Sequence, residues 1–124
     1  MRALNWIVLA LALFQGGWLC FDGSHALLLG DYVTPRSGPG AGQLGPWARL
    51  VSAVGLDPRS TTIKCLHLFL GIAWLIGSVA VIIDAPLGFW VLFVCAIATL
   101  WYLPIGTIIS ITLIALLLTR SFRA

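Results

Sequence analysis

The fold class that the sequence predicts is an all-α integral membrane protein, with four short transmembrane helices and one interfacial amphipathic helix. From Cys65 to Thr119 the chain runs 55 residues with a single formally charged side chain, Asp84. A run of about 18 apolar residues is long enough to cross a membrane, whereas each charge in hydrocarbon costs several kcal/mol. The whole chain is 60% hydrophobic and 9% charged, with a mean hydropathy of +1.06. Soluble domains carry roughly 25% charged residues, so the composition favours a membrane protein.

The first predicted span covers residues 4–21. Arg2 precedes it, and Asn5 and Gln15 are its only strongly polar members. The segment has the charge and length of a signal peptide, but no small-x-small cleavage site follows it. A lipoprotein signal has small residues before its cysteine, whereas here Trp and Leu precede Cys20. We therefore expect a retained span within a single membrane domain, residues 1–124.

The long polar loop of residues 22–58 is predicted to be ordered, because it carries an apolar pattern of its own. Four apolar residues recur there at helical spacing: Trp47, Leu50, Val51 and Val54. Pro46 suits a first helical turn and Gly55 suits a stop, so 46–54 reads as an amphipathic helix lying on the membrane or on a partner. A weaker helix is expected over 24–29, ended by Gly30.

Three further spans are predicted at residues 59–83, 87–103 and 105–119. Asp57 can cap the second span, with Pro58 at its first helical position, and Asp84-Ala85-Pro86 ends it because proline breaks the helical hydrogen bonding. A continuous helix over 87–119 would measure about 50 Å against a membrane core of roughly 30 Å. The sequence therefore favours a break at Pro104, with Thr107 as a cap, and four spans rather than three.

Charges near the span ends suggest an orientation. Arg2, Arg120 and Arg123 would lie on the side of the termini, and the other cations of the chain lie with the 22–58 loop. Positive residues directly beside spans favour the cytoplasm. We expect a multi-pass protein of the bacterial inner membrane with both termini cytoplasmic, whereas a three-span fold would reverse this assignment.

Three kinds of candidate site follow from the residues. Small residues at spacing four predict helix packing: Ala12 with Gly16, Ala73 with Gly77, and Gly106 with Ser110. The 46–54 helix predicts partner docking through four residues: Trp47 as the anchor, with Arg49, Leu50 and Val54. His67 is expected to be structural, and its alternative role is a ligand of haem or chlorin or a hydrogen bond to a quinone.

The polar inventory argues against several activities. No Cys-x-x-Cys motif supports thiol oxidation, no acidic residue falls inside a predicted span to drive proton-coupled export, and the cations are too scattered for nucleic acid. Asp22-Gly-Ser-His25 is the only polar constellation close in sequence, and it reads as a turn and helix cap. We expect no enzyme activity, cofactor or metal. The expected role is an accessory or stabilising subunit that contacts lipid and other membrane subunits; a His67 redox subunit and a small oligomeric transporter are the alternatives.

Overall fold

The computed structural model describes residues 3–102 and 104–119, and in this part of the chain all the regular secondary structure is helical, with no strand. It contains five helices: α1 (Ala3–Leu29), α2 (Pro46–Ala53), α3 (Thr61–Ile82), α4 (Leu87–Ala98) and α5 (Ile105–Leu117). The predicted all-α class is confirmed. Four residues used above for orientation or for a span end lie outside the described residues: Arg2, Leu103, Arg120 and Arg123.

Four of the helices form a closed ring. α1 packs along α3, α3 against α4, α4 against α5, and α5 back against α1. The α1–α3 pair is antiparallel, because Gly16 lies beside Trp74 whereas Gly23 lies beside Leu68. The helix α2 stands outside the ring and covers one end of it.

Two helices, α1 and α3, are long and apolar enough to cross a membrane on length and composition. α4 has 12 residues and α5 has 13, which corresponds to about 18 and 20 Å of helix. Both fall short of the roughly 30 Å hydrocarbon core. The structure therefore establishes two helices of spanning length, and the count of four spans remains a prediction.

The expected break between the first span, residues 4–21, and a weaker helix over 24–29 is absent. A single helix continues to Leu29, and Gly30 ends it with a φ of 92°. Asp22 and Gly23, which look like turn residues in the sequence, are both buried in its interior. Tertiary hydrogen bonds to Asp22, described below, replace the local ones that would favour a turn.

The boundaries of α3 are set by recognisable local chemistry. Ser60, rather than Asp57, caps it, and the Ser60 hydroxyl accepts a hydrogen bond from the Ile63 amide. Asp57 instead accepts from the Arg59 amide in the preceding turn. The predicted stop is observed, because Asp84 takes a left-handed φ of 58° immediately after the helix.

The predicted amphipathic helix is present as α2, one residue shorter than expected. Val54 is its C-cap, and Gly55 follows with a φ of 88°. Its Trp47 ring lies 5.8 Å from Trp101 and 5.7 Å from Tyr102, in the turn after α4. The helix therefore occupies the space that α4 and α5 leave beside the longer helices.

Candidate functional site: a buried aromatic cluster around His67

Glycines in the seam between α1 and α3 bring the functional side chains together. A Cβ on Gly23 would lie 2.7 Å from the Leu68 amide nitrogen, and one on Gly71 would lie 2.6 Å from that of Cys20. Real Cβ atoms do not approach so closely, so only glycine permits this spacing of the two helices. The close approach brings Asp22 of α1 to the level of His67 of α3.

His67 is fully buried among four aromatic rings. Its ring centroid lies 4.6 Å from Trp47, 4.9 Å from Tyr32, 5.3 Å from Tyr102 and 5.4 Å from Trp101. We call these five residues the aromatic cluster. Such edge-on and tilted contacts add stability beyond the area that they bury. The cluster joins α3 to the loop after α1, to α2 and to the turn after α4.

The hydrogen bonding of His67 fixes the roles of its two nitrogens. Nδ1 lies 2.8 Å from the Ile63 carbonyl oxygen, which can only accept, so Nδ1 carries a proton. In the neutral ring Nε2 then presents a lone pair. That atom is buried and has no hydrogen-bond partner in the described part of the chain.

Asp22 is the second polar centre of the site and is 4% exposed. Its Oδ1 accepts from the Val33 amide at 3.0 Å, and its Oδ2 accepts from the Tyr102 hydroxyl at 3.3 Å. The Trp18 indole donates to the same Tyr102 hydroxyl at 2.9 Å. Trp18, Tyr102 and Asp22 thus form one hydrogen-bonded chain between α1 and the turn before α5.

Tyr32 ties the loop after α1 to the start of α3. Its hydroxyl donates to the Pro58 carbonyl at 2.8 Å, and its amide donates to Asp31 Oδ1 at 2.9 Å. Burial, followed by the negative charges of Asp22 and Asp31, raises the pKa of Tyr32. Tyr32 therefore stays protonated and can keep donating to Pro58.

An ion pair holds the outer layer of the loop. Arg59 Nε donates to Asp31 at 3.0 Å, and Arg59 Nη2 donates to the Gly42 carbonyl at 2.8 Å. Burial opposes ionisation of Asp31, but the hydrogen bonds from Arg59 and from the Tyr32 amide outweigh it, so the pKa of Asp31 lies below its usual range. Lys64 adds a bond to the Gly30 carbonyl.

A second polar layer lies deeper in the ring of helices. The Trp74 indole donates to the Thr99 hydroxyl at 3.0 Å, and that hydroxyl donates to the Cys95 carbonyl at 2.7 Å. Gln15 Nε2 and Ser110 Oγ are buried there without a partner among the described residues. The layer joins α3 to the end of α4, where the shorter helices stop.

The structure places the predicted docking residues on two sides of α2. Trp47, the expected anchor, is 5% exposed and is covered by other rings of the chain itself. Long-range packing on Trp101 and Tyr102, invisible in local sequence, provides the cover. Arg49, Leu50 and Val54 are exposed, and their docking role remains a prediction.

The predicted packing pairs lie at different kinds of contact. Gly16 faces Trp74, and Gly77 faces Leu92 of α4, where an added Cβ would meet a side-chain carbon at 2.6 Å. Ala12 and Ser110 are fully buried, Ala73 packs at the edge of the core, and Gly106 lies against Tyr102. Gly23 and Gly71 were not singled out from the sequence, although the spacing of seven between Gly16 and Gly23 was a visible signal.

The polar groups of the site connect helices and loops of the chain to one another. The polar side-chain atoms of Asp22, Tyr102 and Tyr32 form hydrogen bonds within the chain. Four aromatic rings pack around the His67 ring. Among residues 3–102 and 104–119, no three of the His, Cys, Asp and Glu side chains come together as metal ligands.

No protein-family profile, curated protein or solved structure matches the chain.

Proposed function

We propose that the chain is a non-catalytic, multi-pass membrane protein that acts as an accessory or stabilising subunit of a larger membrane protein complex. The observation that carries the proposal is the apolar outer surface of the ring. Large apolar side chains are more than half exposed on all four ring helices: Trp6, Phe14, Phe69, Ile76, Trp90, Val94, Ile108 and Ile111. Soluble monomers rarely expose contiguous apolar patches above a few hundred Å². Lipid and neighbouring membrane subunits are the surroundings that suit this surface.

Four crossings remain our proposed topology, with the turn between α4 and α5 recessed below the membrane surface. Non-helical backbone is tolerated at that depth only where protein satisfies it. In the described part of the turn, the Tyr102 amide bonds to the Thr99 carbonyl and the Thr107 hydroxyl donates to the Leu100 carbonyl, which supports this topology. Trp47 of α2 covers the turn from outside. The bacterial inner membrane and cytoplasmic termini belong to the same proposal.

Docking on a partner subunit is assigned to the exposed side of α2 and to the outer faces of the ring helices. Leu50 is 41% exposed and Val54 67% exposed, on a helix that Trp47 fixes to the rest of the chain. A rigid helix presenting apolar side chains loses little entropy on binding. Partners are other integral membrane proteins, with lipid filling the remaining surface.

Co-purification of the tagged full chain in mild detergent tests this function. We expect the chain to resist alkaline extraction from membranes and to retain an integral membrane partner in constant proportion. Leu50→Ser and Val54→Ser should reduce recovery of that partner, whereas Val33→Ser serves as the matched control, because Val33 is as exposed as Leu50 (41%) but lies in the loop after α1, outside α2 and the ring helices. A chain released by alkali, or purified alone under every mild condition, would overturn the proposal.

One observation favours a second candidate, a cofactor-binding subunit. The buried Nε2 lone pair of His67 is the feature that a haem iron or a chlorin magnesium would coordinate, or to which the hydroxyl of a reduced quinone would donate. The four rings at 4.6 to 5.4 Å would have to move to admit any such group. A visible absorption spectrum of the purified chain distinguishes the two functions, because only the second gives a chromophore that His67→Gln removes.

A further inference from the structure

A cleft beside α2 has the chemistry of an anion site. It lies between the helix, the tip of the loop and the turn before α3, and it has a volume of about 470 Å³. Its polar lining comes from Gln43, Arg49, Ser52 and Arg59. Donor groups therefore dominate the cleft, and no carboxylate lines it.

The charges around the cleft are unevenly paired. The Arg59 guanidinium is oriented by Asp31 and by the Gly42 carbonyl. Arg49, on the opposite side, is exposed and has no hydrogen-bond or ion-pair partner in the described part of the chain. Over residues 30–64 four cations face two carboxylates, a net charge of +2 from 4 minus 2. Of the two arginines in the cleft lining, Arg59 is paired with Asp31, so Arg49 carries the unpaired charge there.

We propose that this cleft binds the phosphate of an anionic phospholipid headgroup. A guanidinium presents a planar fork of N–H donors that matches two phosphate oxygens, which makes arginine a preferred phosphate ligand. Arg49 supplies that fork, the Ser52 hydroxyl lies one turn further along α2, and Arg59 is held in place at the far wall. The inference rests on the membrane location in the proposed function, but not on the accessory role.

A lipid phosphate, rather than free phosphate, is the occupant that α2 favours. Leu56 follows the helix at 54% exposed and is not among the side chains assigned to partner docking. A phosphate site next to an exposed apolar side chain matches an amphiphile, whose headgroup and acyl chains need both surfaces. Free phosphate would use the cleft and leave Leu56 without a contact.

Binding of short-chain lipids to the purified full chain in neutral detergent tests the inference, read by native mass spectrometry. Phosphatidylglycerol should bind more tightly than phosphatidylcholine, and Arg49→Gln should weaken phosphatidylglycerol about five-fold, the usual effect of one interfacial cation. Arg36→Gln is the matched control, because Arg36 is an exposed loop arginine outside the cleft. Arg49→Lys should restore part of the affinity, because it keeps the charge and loses the fork.

Three results would overturn the inference. Equal binding of the two lipids would exclude headgroup selectivity. Equal losses in Arg49→Gln and Arg36→Gln would assign the effect to general loop charge. Full displacement of the lipid by millimolar inorganic phosphate would make the occupant free phosphate. Alkaline extraction of the membranes from which the chain is purified separates these results from failure of the proposed function, since a chain that stays in the membrane without lipid selectivity refutes only the cleft.

Discussion

Trp47 lies edge-on to His67, with 4.6 Å between the ring centroids. One residue belongs to an eight-residue helix of the polar loop and the other to the first turns of a long apolar helix. A helix of eight residues is not stable alone in water, so its order must come from packing. The contact with His67, supported by Tyr32, Trp101 and Tyr102, provides that packing.

Trp47→Ala is expected to destabilise the folded chain by about 3–5 kcal/mol, the usual cost of truncating a buried tryptophan. Trp47→Phe should cost less, because it keeps an aromatic edge in the cluster. Leu50→Ala on the exposed side of α2 is the control and should change stability by less than about 1 kcal/mol. Thermal unfolding in detergent gives the comparison, and equal midpoints for Trp47→Ala and Leu50→Ala would show that α2 is not docked.

How far the sequence predicts this structure depends on how local each feature is. Pro86 and Gly55 mark real ends because their backbone preferences act within one or two residues. The sequence does not indicate that α1 continues past Asp22. The hydrogen bonds that stabilise this buried aspartate come from Tyr102 and Val33, which lie outside the helix. Periodicity reports which side of a helix is apolar, but not which distant ring covers it.

Gly16→Ala should destabilise the α1–α3 seam, because the new Cβ would lie 2.8 Å from the Trp74 Cβ and 3.1 Å from the Gly71 carbonyl oxygen. We expect a loss of about 1–3 kcal/mol, typical of overpacking. Gly17→Ala is a matched control in the same helix, since nothing lies within 4 Å of its added Cβ. Gly17→Ala should stabilise the helix by roughly 0.5–1 kcal/mol. Equal effects in unfolding measurements would contradict the close seam.

Tyr102→Phe should cost about 1–3 kcal/mol, because it leaves one oxygen of the buried Asp22 without its partner and removes the acceptor of the partly exposed Trp18 indole. A double-mutant cycle with Trp18→Phe tests the connection directly. The two changes should combine to less than the sum of their separate losses, since they remove one shared hydrogen bond. Strict additivity would show that the two side chains act independently.

The ion pair between Asp31 and Arg59 predicts a particular response to acid. Because the pKa of Asp31 is lower in the folded protein, the pair stabilises the fold fully above the unfolded pKa of about 3.9, and this contribution is lost as the pH falls through the folded value. Asp31→Asn should therefore lower the melting temperature at pH 7, and the difference from wild type should shrink as the pH falls below about 3.9. Asp84→Asn, at the other end of the ring, is the control. A constant difference between wild type and Asp31→Asn across this range would disprove the linkage.

The candidate site was predictable in its parts but not in its assembly. His67, Trp47 and Asp22 were each noticed, because a histidine, a tryptophan or an aspartate is conspicuous in an apolar chain. Their juxtaposition depends on Gly23 and Gly71, which let two backbones approach, and on α4 ending early at Ala98. Neither the pairing of glycines on different helices nor the room left by a short helix appears in a local pattern.

A structural role for His67 predicts that its nitrogens contribute little to stability. His67→Phe keeps a ring among the four aromatic neighbours and removes the buried Nε2 that has no partner. The lost Nδ1 bond to the Ile63 carbonyl is offset by relief of that unsatisfied atom, because an unpaired buried polar group costs about 1–3 kcal/mol. The free energy of unfolding of His67→Phe is expected to lie within about 1 kcal/mol of wild type, whereas His67→Ala should lose about 2–4 kcal/mol to the cavity.

Unfolding midpoints of the two variants, with absorption spectra of the same samples, test whether His67 is structural or a ligand. A large loss in His67→Phe together with disappearance of a visible absorption band would make His67 a ligand and replace the accessory role with the cofactor-binding one.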